Sequence, residues 1–165
     1  MKMVVIGSSG VIGRRLVEVL QARGHDALAA APSSGVDILT GRGLLAVLRG
    51  AQVVIDVASS RSFAGDALRS FFFETSTRNM LASGIAADIQ HYVALALVPA
   101  QARLVESAHL PYTVLRAHEG DDVDELAEAL ANVAEAAPRH EVLSLDDALL
   151  PLSYAAAPRC ACARA

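Results

Sequence analysis

Gly7-Ser8-Ser9-Gly10-Val11-Ile12-Gly13 is the stretch on which the reading of this 165-residue chain turns. Just before it, Lys2 to Ile6 is a short apolar run, the pattern of a buried strand. Just after it, Ile12, Leu16, Val19 and Leu20 recur at helical spacing until Gly24 supplies a stop. Glycines at every third position between a strand and a helix have a mechanical meaning. The first permits a tight turn, the second leaves backbone open to a phosphate, and the third lets the helix pack closely on the sheet. The helix N-terminus adds free N–H groups and a positive dipole end. The pattern therefore predicts a turn shaped for the pyrophosphate of a dinucleotide, with Gly7, Ser8, Ser9, Gly10, Val11, Ile12 and Gly13 as binding residues. The alternative is a glycine-rich turn that carries no ligand.

Outward from that turn, strands and helices alternate. Asp26 to Ala31 reads as a second strand, closed by the turn cluster Pro32-Ser33-Ser34-Gly35. Thr40 to Arg49 reads as a short helix ending at Gly50, and Val53 to Ala58 as a buried strand leading into Ser59-Ser60-Arg61. A long helix is expected from Gly65 to Ala87, with Phe71, Phe72, Thr75, Asn79 and Ala82 along one face. His91 to Val98 reads as a strand, Pro99 starts a helix to about Ala108, and Tyr112 to Arg116 is a further strand. Asp121-Asp122 opens a helix that Pro138 ends, and His140 to Leu145 is the last expected strand. This alternation predicts an α/β, Rossmann-like doubly wound fold with a mostly parallel sheet and helices on both faces. Only about four residues separate the second strand from Val36-Asp37-Ile38, too few for a helical crossover, so any strand there is a stub. The expected organisation is one domain over residues 1–157 and a disordered tail at 158–165.

Composition excludes several chemistries. Lys2 is the sole lysine among 14 basic residues, which rules out a Gly-Lys-Ser/Thr phosphate loop and, Lys2 itself aside, a Schiff-base lysine. A net charge of −4 argues against nucleic acid as a partner. No apolar run reaches the roughly 18 residues of a membrane span. Cys160 and Cys162 lack a second ligand pair for structural zinc, and the acidic run Asp121, Asp122, Asp124, Glu125 and Glu128 lacks histidine partners, so no metal site is expected. A cytoplasmic protein is the expectation. His25 and His140 read as surface residues and His91 as structural.

GSSGVIGRRLVEVLQARGH, beginning at Gly7, resembles the opening of an atypical short-chain dehydrogenase/reductase of the NmrA-like NAD(P)-binding branch. FFFETSTRNMLASGIAADIQHYVALAL, which includes Asn79, is similar to that branch's long helix and following strand. LVESAHLPYTVLRA and DDVDELAEALANVAEAAP resemble its later elements, in the family's order. The resemblance implies that Gly7, Ser9, Gly10, Val11, Ile12 and Gly13 form the phosphate loop. It also implies that Asp37 faces the adenine and that Ala58 and Ser59 flank the adenosine. The second strand ends at Ala30-Ala31 with no carboxylate for the ribose hydroxyls of NAD, whereas Arg14, Ser33 and Ser34 can meet a 2′-phosphate; NADP is favoured over NAD.

The departures from the family pattern matter as much. Its reductases place a tyrosine four residues before a lysine, and neither Tyr92, Tyr112 nor Tyr154 has that partner here. The family's strand serine reads Ala96, and the chain is short after Pro99 and again after Ala117, which implies a reduced substrate region. His118, beside Glu119, is the candidate proton donor. Three functions stay open: an NAD(P)H-dependent oxidoreductase acting on a small molecule without tyrosine–lysine catalysis, a non-catalytic NAD(P)-sensing module, and a degenerate member without cofactor.

Overall fold

The structure, a computed structural model, describes residues 1–59, 65–96, 98–118 and 120–149. The first turn of the fold is strand β1 (Lys2–Ile6), helix α1 (Val11–Ala22) and strand β2 (Asp26–Ala30). Short α2 (Leu44–Leu48) leads to β3 (Val53–Asp56), and long α3 (Asp66–Ala86) leads to β4 (His91–Ala96). Then follow α4 (Pro99–Glu106), β5 (Tyr112–Arg116), α5 (Val123–Glu135), β6 (Val142–Leu143) and α6 (Leu145–Leu149). The six strands form one parallel sheet in the order β2-β1-β3-β4-β5-β6. The chain leaves β1 toward β2 on one side and then returns to β3 on the other. That reversal opens a crevice at the carboxyl ends of β1 and β3, where ligands of such sheets bind.

A parallel sheet must be covered on both faces, and the strand period of two distributes the covering. Met3 and Val5 of β1 join Leu16, Leu20, Ile55, Leu115 and Leu130 in one core under α1 and α5. Val4 and Ile6 join Leu44, Leu48, Val54, Met80 and Val105 in the other, under α2, α3 and α4. Helix α1, which carries the glycine turn, is also clamped to α5. Arg15 pairs with Asp124 at 2.5 Å, and Arg23 reaches Glu128, Glu135 and Asn132. The acidic face of α5 is thus the counter-surface for the arginines of α1 rather than a wholly solvated stripe.

Several elements differ from their sequence reading. Val36 to Ile38 forms no strand, and β2 is the sheet edge. Side chains capture the backbone there: Asp37 Oδ1 accepts from the Leu39 and Thr40 amides at 2.9 and 3.3 Å, and Asn79 Nδ2 donates to the Ile38 and Leu39 carbonyls at 3.0 and 2.7 Å. The helix expected from Thr40 shortens to Leu44–Leu48, because Gly41 and Gly43 adopt φ of 76° and 78°. The buried face of α3 is Phe72, Phe73, Met80 and Leu81, while Phe71 is 63% exposed and Ala82 is exposed. The last strand is only Val142–Leu143, because Ser144 turns the chain by accepting the Asp147 amide at 3.2 Å. His25 is half-buried, with Nε2 2.7 Å from Glu135, rather than a free surface residue. Asp122 caps α5 by accepting from the Asp124 and Glu125 amides, as its position in the sequence implies. Ser60, Arg61, Glu119, Tyr154, both cysteines and the tail at 158–165 lie outside the described residues. Among the described residues, no helix is long and apolar enough to cross a membrane.

Candidate functional site

The three turn glycines have three different surroundings. Gly7 holds φ at 85°, and a Cβ there would lie 2.8 Å from the Ala58 amide nitrogen and Cα. A Cβ on Gly13 would lie 2.5 Å from the Gly7 carbonyl oxygen. Both positions are closed by backbone, so each is needed for the turn to pack. Gly10 has an ordinary φ of −74°, and a Cβ there meets only the Gly7 carbonyl oxygen, at 3.4 Å. A side chain at Gly10 is compatible with the fold and would occupy the space over the helix N-terminus. Gly10 caps α1 without any side-chain bond, and the first turn holds no acidic residue. The helix end therefore presents its positive pole without an internal carboxylate to neutralise it.

The remaining sequence candidates gather unevenly around this turn. The Gly7 and Ser8 amides donate to the Ala30 carbonyl at 3.1 and 3.4 Å, which ties the turn to the end of β2. Ser8 is buried; Ser9, Gly10 and Val11 are exposed, Ile12 is half-buried and Gly13 is buried. Arg14 and Ser33 are exposed. The Ser34 hydroxyl donates to the Ala31 carbonyl at 2.9 Å and accepts the Ala31 amide at 3.0 Å, so its proton is committed locally. Asp37 is half-buried in its turn. The Thr40 hydroxyl, followed by the Leu39 and Thr40 amides, holds its carboxyl below the usual range. Ala58 is buried beneath Gly7, and Ser59 is exposed. His118 stands apart: three strand spacings, roughly 14 Å, separate the ends of β1 and β5. Its own amide, not its ring, makes the close contact with Asp121, at 2.8 Å; the ring Nδ1 is 4.0 Å away.

Lys2, Tyr92 and Tyr112 lie among the described residues. Lys2 Nζ donates to the Arg49 carbonyl at 2.6 Å, at the amino edge of the sheet, about 16 Å along β1 from the glycine turn. The Tyr112 hydroxyl donates to the His140 carbonyl at 3.1 Å, at the same amino edge. Tyr92 is buried against Asp56.

That last contact belongs to a cluster that sequence reasoning missed. Asp56, the last residue of β3, is fully buried. Its Oδ1 accepts from the Ala58 amide at 3.0 Å, and its Oδ2 accepts from the Tyr92 hydroxyl at 3.1 Å and from Gln101 Nε2 at 3.3 Å. Burial pushes its pKa up to about 6, against the pull of these three donors. Burial, then the nearby carboxylate, raises Tyr92 well above its ordinary range. The one visible sign in the sequence is an aspartate inside the apolar run VVIDVA. At the opposite edge, His91 Nε2 lies 2.9 Å from Thr113 Oγ1, and burial lowers its pKa to about 4, in keeping with a structural role. Among the described residues, no group of three or more metal-ligating side chains forms.

No family model and no curated protein sequence matches this chain. Solved structures do match in fold. A dTDP-glucose 4,6-dehydratase from Streptomyces venezuelae, crystallised with NAD, superposes with a TM-score of 0.69 at 15% identity, covering 88% of this chain and 75% of that one. A UDP-N-acetylglucosamine 4-epimerase from Bacillus cereus gives 0.72 at 15% identity, covering 87% and 77%. An NADPH-dependent quinone oxidoreductase from Escherichia coli, complexed with NADPH, gives 0.67 at 16% identity, covering 86% and 68%. The chain shares the Rossmann-like fold of these proteins.

Proposed function

We propose that this chain binds a nicotinamide dinucleotide in the turn between β1 and α1, as a shortened cytoplasmic domain of the NmrA-like short-chain dehydrogenase/reductase type spanning residues 1–157. The observation that carries the reading is the contrast among the glycines: Gly7 and Gly13 are closed by backbone, while Gly10 is open directly over a helix N-terminus that no side chain caps. The turn lies at the crevice between β1 and β3, where the strand order reverses. The dinucleotides bound by the dehydratase and the quinone oxidoreductase of like fold support the same ligand class. The preferred form is NADP, because β2 ends at Ala30 and Ala31 follows it with no carboxylate, while Arg14 in the first turn of α1 and Ser33 just after β2 are exposed. Asp37, Ala58 and Ser59 would flank the adenosine half.

Within this site, two activities differ. The first is NAD(P)H-dependent reduction of a small molecule, in which the cofactor supplies the hydride and the protein supplies its orientation. His118 would then be the proton donor. The second is dinucleotide sensing without turnover. The distance of Lys2 from the turn and the burial of the Tyr92 hydroxyl speak against tyrosine–lysine proton transfer at this site, which favours the second. Fluorescence titration with NADPH and NADH, followed by turnover assays across carbonyl and quinone substrates, tests both. Tighter binding of NADPH with no oxidation supports sensing, oxidation by a substrate restores the reductase reading, and binding of neither nucleotide refutes the site.

A further inference from the structure

We propose that Asp56 is a positioning residue of the dinucleotide site, holding the Val57-Ala58 turn against Gly7 through its bond to the Ala58 amide; the inference rests on the dinucleotide reading above. Asp56 is in register with Ile6, the residue that enters the glycine turn, and the Val57 amide donates to the Ile6 carbonyl at 3.0 Å. One peptide further, the Ala58 nitrogen meets two neighbours at once. It donates to Asp56 Oδ1 at 3.0 Å, and it lies 2.8 Å from the point where a Gly7 Cβ would stand. A small movement of that amide therefore closes on the glycine turn or withdraws its support. The other carboxylate oxygen is anchored from two more elements, by Tyr92 of β4 and Gln101 of α4. Both oxygens are thereby fixed, and with them the Ala58 amide.

An aliphatic side chain would fill this position without the cost of desolvating a carboxylate, as its neighbours Val54 and Ile55 do. What the carboxylate adds is an acceptor at a defined place. Among the described residues no cation compensates it: the groups that face it are the Ala58 amide, Tyr92 and Gln101, of which Tyr92 is titratable. Gln101 also has a buried Oε1 that finds no hydrogen-bond partner among the described residues. A half-turn of its amide presents that oxygen to Asp56 in place of the nitrogen, so a donor on Asp56 is accommodated as well as an acceptor. Asp56→Asn can therefore keep all three tethers: its oxygen for the Ala58 amide, and its nitrogen toward Gln101 Oε1 and the Tyr92 oxygen. Asp56→Leu keeps none of them.

The test is calorimetric titration of NADPH into folded wild-type protein, Asp56→Asn, Asp56→Leu and Ile89→Ala. Ile89 is buried at the amino edge of the sheet, so its truncation destabilises the fold without touching the site. The expected result is a Kd within about twofold of wild type for Asp56→Asn and Ile89→Ala, and about tenfold weaker binding for Asp56→Leu, from one buried amide left unpaired. Should Asp56→Leu not fold, the double variant Tyr92→Phe/Gln101→Leu frees only Oδ2 and should weaken binding severalfold. An unchanged Kd in Asp56→Leu, or in the double variant where it replaces Asp56→Leu, overturns the positioning role while leaving the site in place. An Asp56→Asn protein as weak as Asp56→Leu overturns it too. Failure of the wild-type protein to bind NADPH or NADH overturns the site reading and this inference with it.

Discussion

Replacing Asp56 by asparagine should change how stability depends on pH, in a direction fixed by the burial of the carboxyl group. The native pKa of about 6 stands above the ordinary 3.8. Between those values the folded protein binds more protons than the unfolded chain, so stability falls as pH rises through the window. The carboxyl's contribution is fully present below pH 3.8 and is lost once pH passes about 6. A shift of roughly two units corresponds to about 3 kcal/mol, a sizeable part of the 5–15 kcal/mol typical of a domain. His91 acts in the opposite sense: its pKa is lowered from 6.5 to about 4, so its contribution is lost as pH falls through that interval. Because His91 is common to both proteins, it cancels in the difference between wild type and Asp56→Asn. Urea unfolding of the pair at several pH values from 4 to 8 reads that difference directly. The stability of Asp56→Asn relative to wild type should rise by about 3 kcal/mol across the range, with most of the change between pH 4 and 6. A difference that stays flat would refute the claim that Asp56 titrates late because it is buried.

Other perturbations follow from individual contacts. Gly13→Ala places a Cβ against the Gly7 carbonyl and the Ser8 Cα, and should cost about 1–3 kcal/mol in urea unfolding. Asp122→Ala removes the cap of α5 and should cost about 1 kcal/mol by the same measurement. Asn79→Leu releases the Ile38 and Leu39 carbonyls, so amide exchange should quicken over residues 37–42 while β1 and β3 keep their protection.

What was legible in the sequence was local. Strands β1 and β5 occupy the residues their apolar runs mark out, because Gly7 ends the first and Leu110-Pro111 precedes the second. The glycine turn could be read because its spacing and its flanking elements lie within two dozen residues. Features that depend on distant partners could not. The segment at Val36–Ile38 becomes a turn because Asn79, some 40 residues away, takes its carbonyls. Which side of α3 packs inward could not be read because Phe71, Phe72 and Phe73 are consecutive, and only the packed core decides which two turn inward. Asp56 was hidden for the same reason: its partners Tyr92 and Gln101 lie 36 and 45 residues downstream, on a strand and a helix that meet only in the fold.

If the dinucleotide pyrophosphate lies in the open space over Gly10, as proposed, Gly10→Val takes that space away. The substitution adds a side chain where only the Gly7 carbonyl is near, at a backbone conformation that non-glycine residues adopt readily. The variant should keep the circular dichroism spectrum of the wild-type protein and lose detectable NADPH binding by calorimetry. A folded Gly10→Val protein that binds NADPH as tightly as wild type would mean that no pyrophosphate lies over Gly10.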